Sequence, residues 1–289
     1  MTRVWSWVFS LVAVGTLAVL VAIFFIQSLP VWEHEGWSYL TGARWFFRQK
    51  EFGALPMIYG SVVVSLVALL LAAPLGFGAA IFTAEYLPAK PRLAVKALIE
   101  LLAGVPSVVY GLLGILLLRD WIDDLLARFD PLSGDTLLTA GVLLAVMVLP
   151  TIVTLSDDAL RAVPALQRRA ARALGMTRAE TVLHVALPQA RRGLGSALLL
   201  GLGRALGETI AVFLVVGRQD NNLPDRLLSL RPLLESGQTL TSKLGSSETN
   251  IGYGDPLHWA AIVGLGLILL ALTGSLTILG TAFGRRSGA

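Results

Sequence analysis

Apolar residues in this chain gather into long runs rather than into short alternating or 3.6-periodic stretches. Six runs reach the roughly 20 residues needed to cross a hydrocarbon layer ~30 Å thick. They lie near 6–29, 57–83, 97–118, 137–155, 193–217 and 257–283. The first is longer than the apolar core of a signal peptide, usually about 7–15 residues, and no A-x-A-like site follows it. Among the polar stretches between the runs, 156–192 stands apart because it carries helix punctuation. Pro164 can open a helix, Ala, Leu, Arg and Gln fill it with good helix formers, and Gly175 can close it. Thr177 with Glu180 then forms a capping box for a second short helix, near whose end Pro188 falls. The pattern predicts a rigid helix, glycine turn and helix between the fourth and fifth spans, suited to pressing on another protein at the membrane surface. Residues 119–136 predict a short acidic amphipathic helix lying along the membrane surface on the opposite, outer side.

Composition agrees with a membrane protein. Of 289 residues, 55% are hydrophobic and the mean hydropathy is +0.73, above the roughly 45–50% apolar content of soluble domains. The pattern divides the chain into an N-terminal helix with its outer loop, 1–56, and a helical core, 57–283, that contains the 156–192 loop. Lys and Arg are denser on the side that holds the N-terminus, 84–96, 156–192 and 284–289. That bias predicts cytoplasmic N- and C-termini. The pI near 9.7 is therefore a topology signal. No basic stripe interleaved with aromatics points to nucleic acid. Trp5 and Trp7 at one end of the first span, and Trp32 and Trp37 beyond the other, match interfacial aromatic belts. Trp45, Phe46 and Phe47 in the 30–56 loop read equally well as a docking surface and as a segment resting on lipid headgroups. The long polar loop at 218–256 can contact an outside partner or fold over the mouth of the bundle.

Candidate chemistry sits inside the spans. Arg204 and Glu208 lie well within the fifth, where each charge costs at least ~2.5 kcal/mol. Spaced i, i+4 on a continuous helix, they share a face and can pair. Arg204 then offers a forked, permanently charged donor to an oxyanion in transit, with Glu208 holding it in place and Thr209 adding a hydroxyl. A purely structural salt bridge between helices is the other reading. In the third span Pro106, Ser107 and Tyr110 mark a broken, small-residue helix that can line a polar pathway or form a packing seam. Gly201, Gly203 and Gly207 mimic a nucleotide-binding turn, but no strand precedes them, so helix packing is the better account. There is no GxxxxGK[ST], no HExxH and no cysteine, and His34, His184 and His258 fall in separate loops. No metal site, cofactor or catalytic grouping is expected. Energy for uphill transport has to come from an ion gradient or from another subunit.

Two resemblances follow from these residues. Ala170-Ala171-x-x-x-Gly175, nine residues, then Val185-Ala186-Leu187-Pro188 resembles the EAA loop of ABC importer permeases. That loop docks as a coupling helix into an ATPase subunit. The family's leading Glu is Arg169 here, which alters one polar contact to the ATPase. FGALPMIYGS at 52–61, AAPLGFGAAIFTAEY, ELLAGVPSVVYGLLG at 100–114, LPTIVTLSDDALRAVP at 149–164, GLGRALGETIAV at 201–212 and QTLTS at 238–242 resemble the phosphate-specific ABC importer permeases. The resemblance implies an all-α, six-span bundle of the type I importer kind in the cell inner membrane. It implies a non-catalytic subunit that passes inorganic phosphate. Its partners would be a homologous second permease, two ATPase subunits, an external phosphate-binding protein and the membrane lipids. It also assigns Arg204 and Glu208 to phosphate passage. A permease for sulfate or molybdate, and a phosphate-status sensor without flux, remain open alternatives.

Overall fold

A computed structural model describes residues 2–129, 133–224 and 231–285. Apart from one small hairpin, the regular elements in these residues are helical. The long first helix, α1 (Thr2–Glu35), presents its apolar length outward, with Trp5, Trp7, Phe9 and Leu11 exposed, and packs along the last helix. After the short α2 (Ser38–Thr41) comes a hairpin of β1 (Trp45–Phe46) and β2 (Glu51–Phe52). The second predicted span is α3 (Leu55–Ile81), and it runs on into a π turn at Phe82–Tyr86. The fourth is α7 (Leu137–Arg161), the most enclosed of the spanning helices. Thr136 caps it by accepting from the Thr139 amide at 3.1 Å. The sixth is α14 (Pro256–Arg285).

The core sits between α3 and α7. Val64, Ala68 and Ala72 of α3 mesh with Ala140, Leu144, Val148 and Ile152 of α7. At Gly76 an added Cβ would lie 2.7 Å from the Ile152 side chain. Glycine there sets how closely the two axes approach.

Two predicted spans take a different form. The third is divided between α4 (Ala89–Ala103) and α5 (Ser107–Leu113), which turn from one another by 85°. Pro106 disfavours helical backbone at Val105 and stands extended before α5, with ψ 139°. The chain then continues from α5 through a π turn (Gly114–Leu118) into α6 (Arg119–Leu126). The acidic stretch predicted to lie along the surface is thus an extension of the third span as far as Leu126; its residues 130–132 lie outside the described residues. The fifth span is interrupted as well: α10 (Leu187–Gly207) stops and α11 (Ile210–Val215) restarts after Glu208 and Thr209. Among the described residues four helices are long and apolar enough to cross a membrane, and a fifth crossing results if the bent pair is one span. α10 carries Arg191, Arg192 and Arg204 and is too charged to join them on composition.

The 156–192 loop forms α8 (Ala165–Ala173) and α9 (Arg178–Thr181). Gly175 adopts φ +88°, its amide bonds to the Arg172 carbonyl at 3.0 Å, and the Met176 amide bonds to the Ala171 carbonyl at 3.2 Å. These are the two bonds of a Schellman cap. The Thr177–Glu180 capping box is formed in both directions, at 2.7 and 3.3 Å. The second helix does not end near Pro188, as the spacing suggested. It passes through a π turn (Val182–Ala186) straight into α10, which accommodates Pro188 in its first turn.

Candidate functional site

The interruption at Glu208 decides the geometry of the charged pair. Glu208 takes an extended backbone, φ −73° and ψ 124°, so the i, i+4 register with Arg204 is lost. Among the described residues no ion pair joins them. Glu208 turns to the restarting helix, and its Oε1 accepts from the Ala211 amide at 3.4 Å. Arg204, in the last turn of α10, is exposed in this chain. Its Nη1 donates to Thr151 Oγ1 of α7 at 2.8 Å. A hydroxyl satisfies one donor without cancelling the charge, and no described carboxylate lies within salt-bridge distance. Thr209 donates weakly to the Gly207 carbonyl at 3.4 Å.

A small cavity opens beside the break. Ser61 and Ser65 of α3, Thr239, Thr241 and Glu208 give it a hydroxyl-rich wall. Thr241 belongs to α12 (Leu240–Leu244), whose own capping box is formed by Thr239 and Ser242. Sequence reading missed Thr151 and these hydroxyls; the i, i+4 spacing of Ser61 and Ser65 inside an apolar span was the available signal.

Pro106, Ser107 and Tyr110 gather at the other interruption. Pro106 precedes α5, Ser107 begins it, and the Tyr110 hydroxyl donates back across the bend to the Leu102 carbonyl at 2.9 Å. Tyr110 therefore braces the bend. The two interrupted helices are neighbours, because Gly111 of α5 sits against Ala211 and Leu214 of α11. No described hydrogen bond connects Ser107 or Tyr110 to Arg204.

The elbow divides the predicted coupling residues into two groups. Arg169, Ala170, Gly175 and Pro188 are exposed, with Leu166 and Leu174 beside them. Ala171 and Ala186 are buried, Val185 is half-buried, and Leu187 packs with Ala80, Leu160, Val163 and Ala190. The first group is available to a partner, and the second fastens the elbow to the bundle.

At the opposite end the two long loops close into one cap. Tyr39, Trp45, Phe52, Leu240 and Ala261 share a buried cluster, and the Tyr39 hydroxyl donates to the Ala261 carbonyl at 2.7 Å. Trp45 is buried, while Phe46 and Phe47 remain exposed. Of Trp45, Phe46 and Phe47 in the 30–56 loop, the first is thus taken up by a core, and only Phe46 and Phe47 are left for a docking or interfacial contact. Lys243, only 1% exposed, pairs with Asp220 at 2.7 Å and with Glu248. Glu248 begins α13 (Glu248–Gly252). It also accepts from Trp45 Nε1 at 2.7 Å and meets His258 Nε2 at 2.8 Å. Burial pushes the Asp220 carboxyl up, with Lys243 opposing. Burial acts the same way on Glu248, but hydrogen bonds from Lys243, Trp45 and His258 outweigh it and hold that carboxyl below its usual range. Residues 225–230 of the long loop lie outside the described residues.

Comparison with known proteins follows the same lines. A family described as the binding-protein-dependent transport system inner membrane component matches residues 72–288. The phosphate transport system permease protein PstC of Mesorhizobium japonicum is 35% identical over 254 residues, which is 82% of this chain and 75% of that protein. The phosphate transport system permease protein PstC 1 of Mycobacterium tuberculosis is 38% identical over 240 residues, 77% and 69% of the two chains. Among solved structures, an inward-facing form of the MetNI methionine ABC transporter aligns with a TM-score of 0.61 at 18% identity, covering 81% of this chain and 95% of that one.

Proposed function

Because the chain belongs to the family of binding-protein-dependent transport system inner membrane components, we propose that it is one of two permease subunits of an ATP-driven importer of inorganic phosphate. Relatives named as phosphate transport permeases align over most of its length. The observation that carries the reading is Arg204, an exposed guanidinium at the end of an interrupted helix, held among the described residues by one neutral hydroxyl. A phosphate oxyanion is the natural complement of that fork. In the assembled transporter the second permease faces Arg204 across a shared path, and the interruption at Glu208 lies beside the hydroxyl-rich cavity. Glu208 serves as cap and cavity wall rather than as the ion-pair partner of Arg204.

The Lys and Arg bias puts the elbow, the N-terminus and the C-terminus in the cytoplasm, and the cap outside toward a phosphate-binding protein. ATP binding on two separate ATPase subunits moves the elbow. The exposed face around Arg169, Ala170 and Gly175 is where they dock.

Arg204→Gln in the reconstituted complex tests the assignment. Phosphate uptake should fall by about tenfold or more, as expected when a charge-assisted hydrogen bond worth roughly 1.5–3 kcal/mol is lost, while the subunits still co-purify. Uptake at the wild-type rate would remove Arg204 from the path. Competition by sulfate or molybdate in the same assay identifies the oxyanion carried.

A further inference from the structure

The elbow holds the bundle by more than its own chain ends. The π turn Phe82–Tyr86 at the end of α3 presents three side chains to three different elements. Thr83 Oγ1 lies 3.1 Å from Asp157 Oδ1 of α7 and donates to it. Glu85, 7% exposed, lies 2.9 Å from Arg168 Nη2 of α8. Arg168 also donates to the Leu160 carbonyl at the end of α7. The Arg178 guanidinium, at the start of α9, stands 5.3 Å from the centre of the Tyr86 ring. Each helix of the elbow thus grips the same five-residue turn through a cation. A π turn widens the helix by one residue, and such turns often mark functional positions. Here it aims Glu85 and Tyr86 at the elbow and Thr83 at α7.

The other end of α3 reaches the interrupted span. Ser65 and Ser61 line the cavity beside Glu208, roughly 30 Å along the helix from Glu85 at about 1.5 Å per residue. Ser61 also accepts from the Leu240 amide at 2.8 Å. One continuous helix therefore joins the elbow to the cavity wall, and it lies against α7 along its length. A buried Arg–carboxylate contact has little room to slide, since moving either partner leaves an uncompensated charge.

We propose that the π turn is where elbow displacement enters the bundle, with Glu85 and Arg168 as the positioning pair and α3 as the rod that carries the displacement to the cavity. This rests on the reading of the elbow as the ATPase-facing element. An anchor that only kept the fold together would affect uptake and ATP hydrolysis alike, whereas a transmitting pair affects their ratio.

The test is the amount of phosphate taken up per ATP hydrolysed, measured on reconstituted complexes of wild type, Glu85→Gln and Arg178→Leu that co-purify with the ATPase. Glu85→Gln keeps the shape and removes the charge. It should lower the ratio by about tenfold, within the usual range for coupling between distant sites, with hydrolysis continuing. Arg178→Leu, on the more exposed grip, should lower it in the same direction but less. If both variants keep the wild-type ratio, or if Glu85→Gln loses its ATPase altogether, the pair is an anchor and the proposal is wrong. A wild-type permease that retains no ATPase would instead overturn the reading of the elbow.

Discussion

Two cations in this chain stand in opposite circumstances. Lys243 is almost wholly enclosed in the cap, where two carboxylates hold it and the Trp45 ring centre is 5.2 Å away. Arg204 lies at the end of a helix in the fifth predicted span, is exposed, and among the described residues has a single threonine hydroxyl for a partner. A charge that its own chain compensates fixes structure. A charge that its own chain leaves open is left to solvent or to a partner. The contrast singles out Arg204 more sharply than burial does, since by burial alone Lys243 would attract the greater interest.

The contrast breaks most readily at Lys243. Lys243→Met fills a similar volume but leaves Asp220 and Glu248 close together without a cation. Removing one member of a buried ionic group typically costs about 3–5 kcal/mol. Thermal unfolding of the purified protein in detergent should register a loss of that size, and Arg204→Gln a much smaller one. Equal stability of Lys243→Met and wild type would mean that the cap network is not structural.

The unequal legibility of the two cations has a physical cause. Long apolar runs reveal spans because composition alone decides which segments tolerate hydrocarbon, and α1, α3, α7 and α14 stand where the runs predicted. The elbow was legible because its signals are local: Pro164, Gly175, Thr177 and Glu180 act within a few residues of themselves. The Arg204–Glu208 pair misled because i, i+4 spacing presumes a continuous helix, and Gly207 followed by Glu208 breaks it. In the sequence Lys243 is one polar residue of the 218–256 loop, with nothing beside it to mark it. Its partner Trp45 is about two hundred positions away in the chain, a distance that no spacing rule spans. The Glu85–Arg168 contact was hidden for the same reason, although each residue sits in a segment already marked as the inner interface.

A smaller effect sharpens the Arg204 side. Thr151→Val keeps the shape of the side chain and removes the only described hydrogen-bond acceptor of the guanidinium. The donor is charged but exposed to solvent, so its loss is taken at about 1 kcal/mol, below the roughly 1.5–3 kcal/mol of a charge-assisted bond. If Thr151 only orients Arg204, phosphate uptake should fall by about fivefold, with stability nearly unchanged. A loss as severe as that of Arg204→Gln would show that the hydroxyl itself meets the anion.

Acid distinguishes the two cations with the least perturbation. The partners of Lys243 are carboxylates, which titrate, whereas the partner of Arg204 is a hydroxyl, which does not. Glu248 is held below the usual carboxyl range. Its contribution is therefore complete above the unfolded value, near 4.3 for Glu, and is lost as pH falls through the lower folded value. Asp220 is pushed the other way by burial, so in the folded cap it takes up its proton at a higher pH than in the unfolded chain. That uptake favours the folded cap as pH falls. Between pH 7 and about 5, where free Asp and Glu carboxyls are ionised, the protection of the backbone amides in 238–245 against hydrogen exchange, relative to their intrinsic rate at each pH, should stay level or rise slightly. It should fall only below the ordinary range of Glu. A steady loss of protection beginning at neutral pH would assign control of the cap to a group other than these two carboxylates.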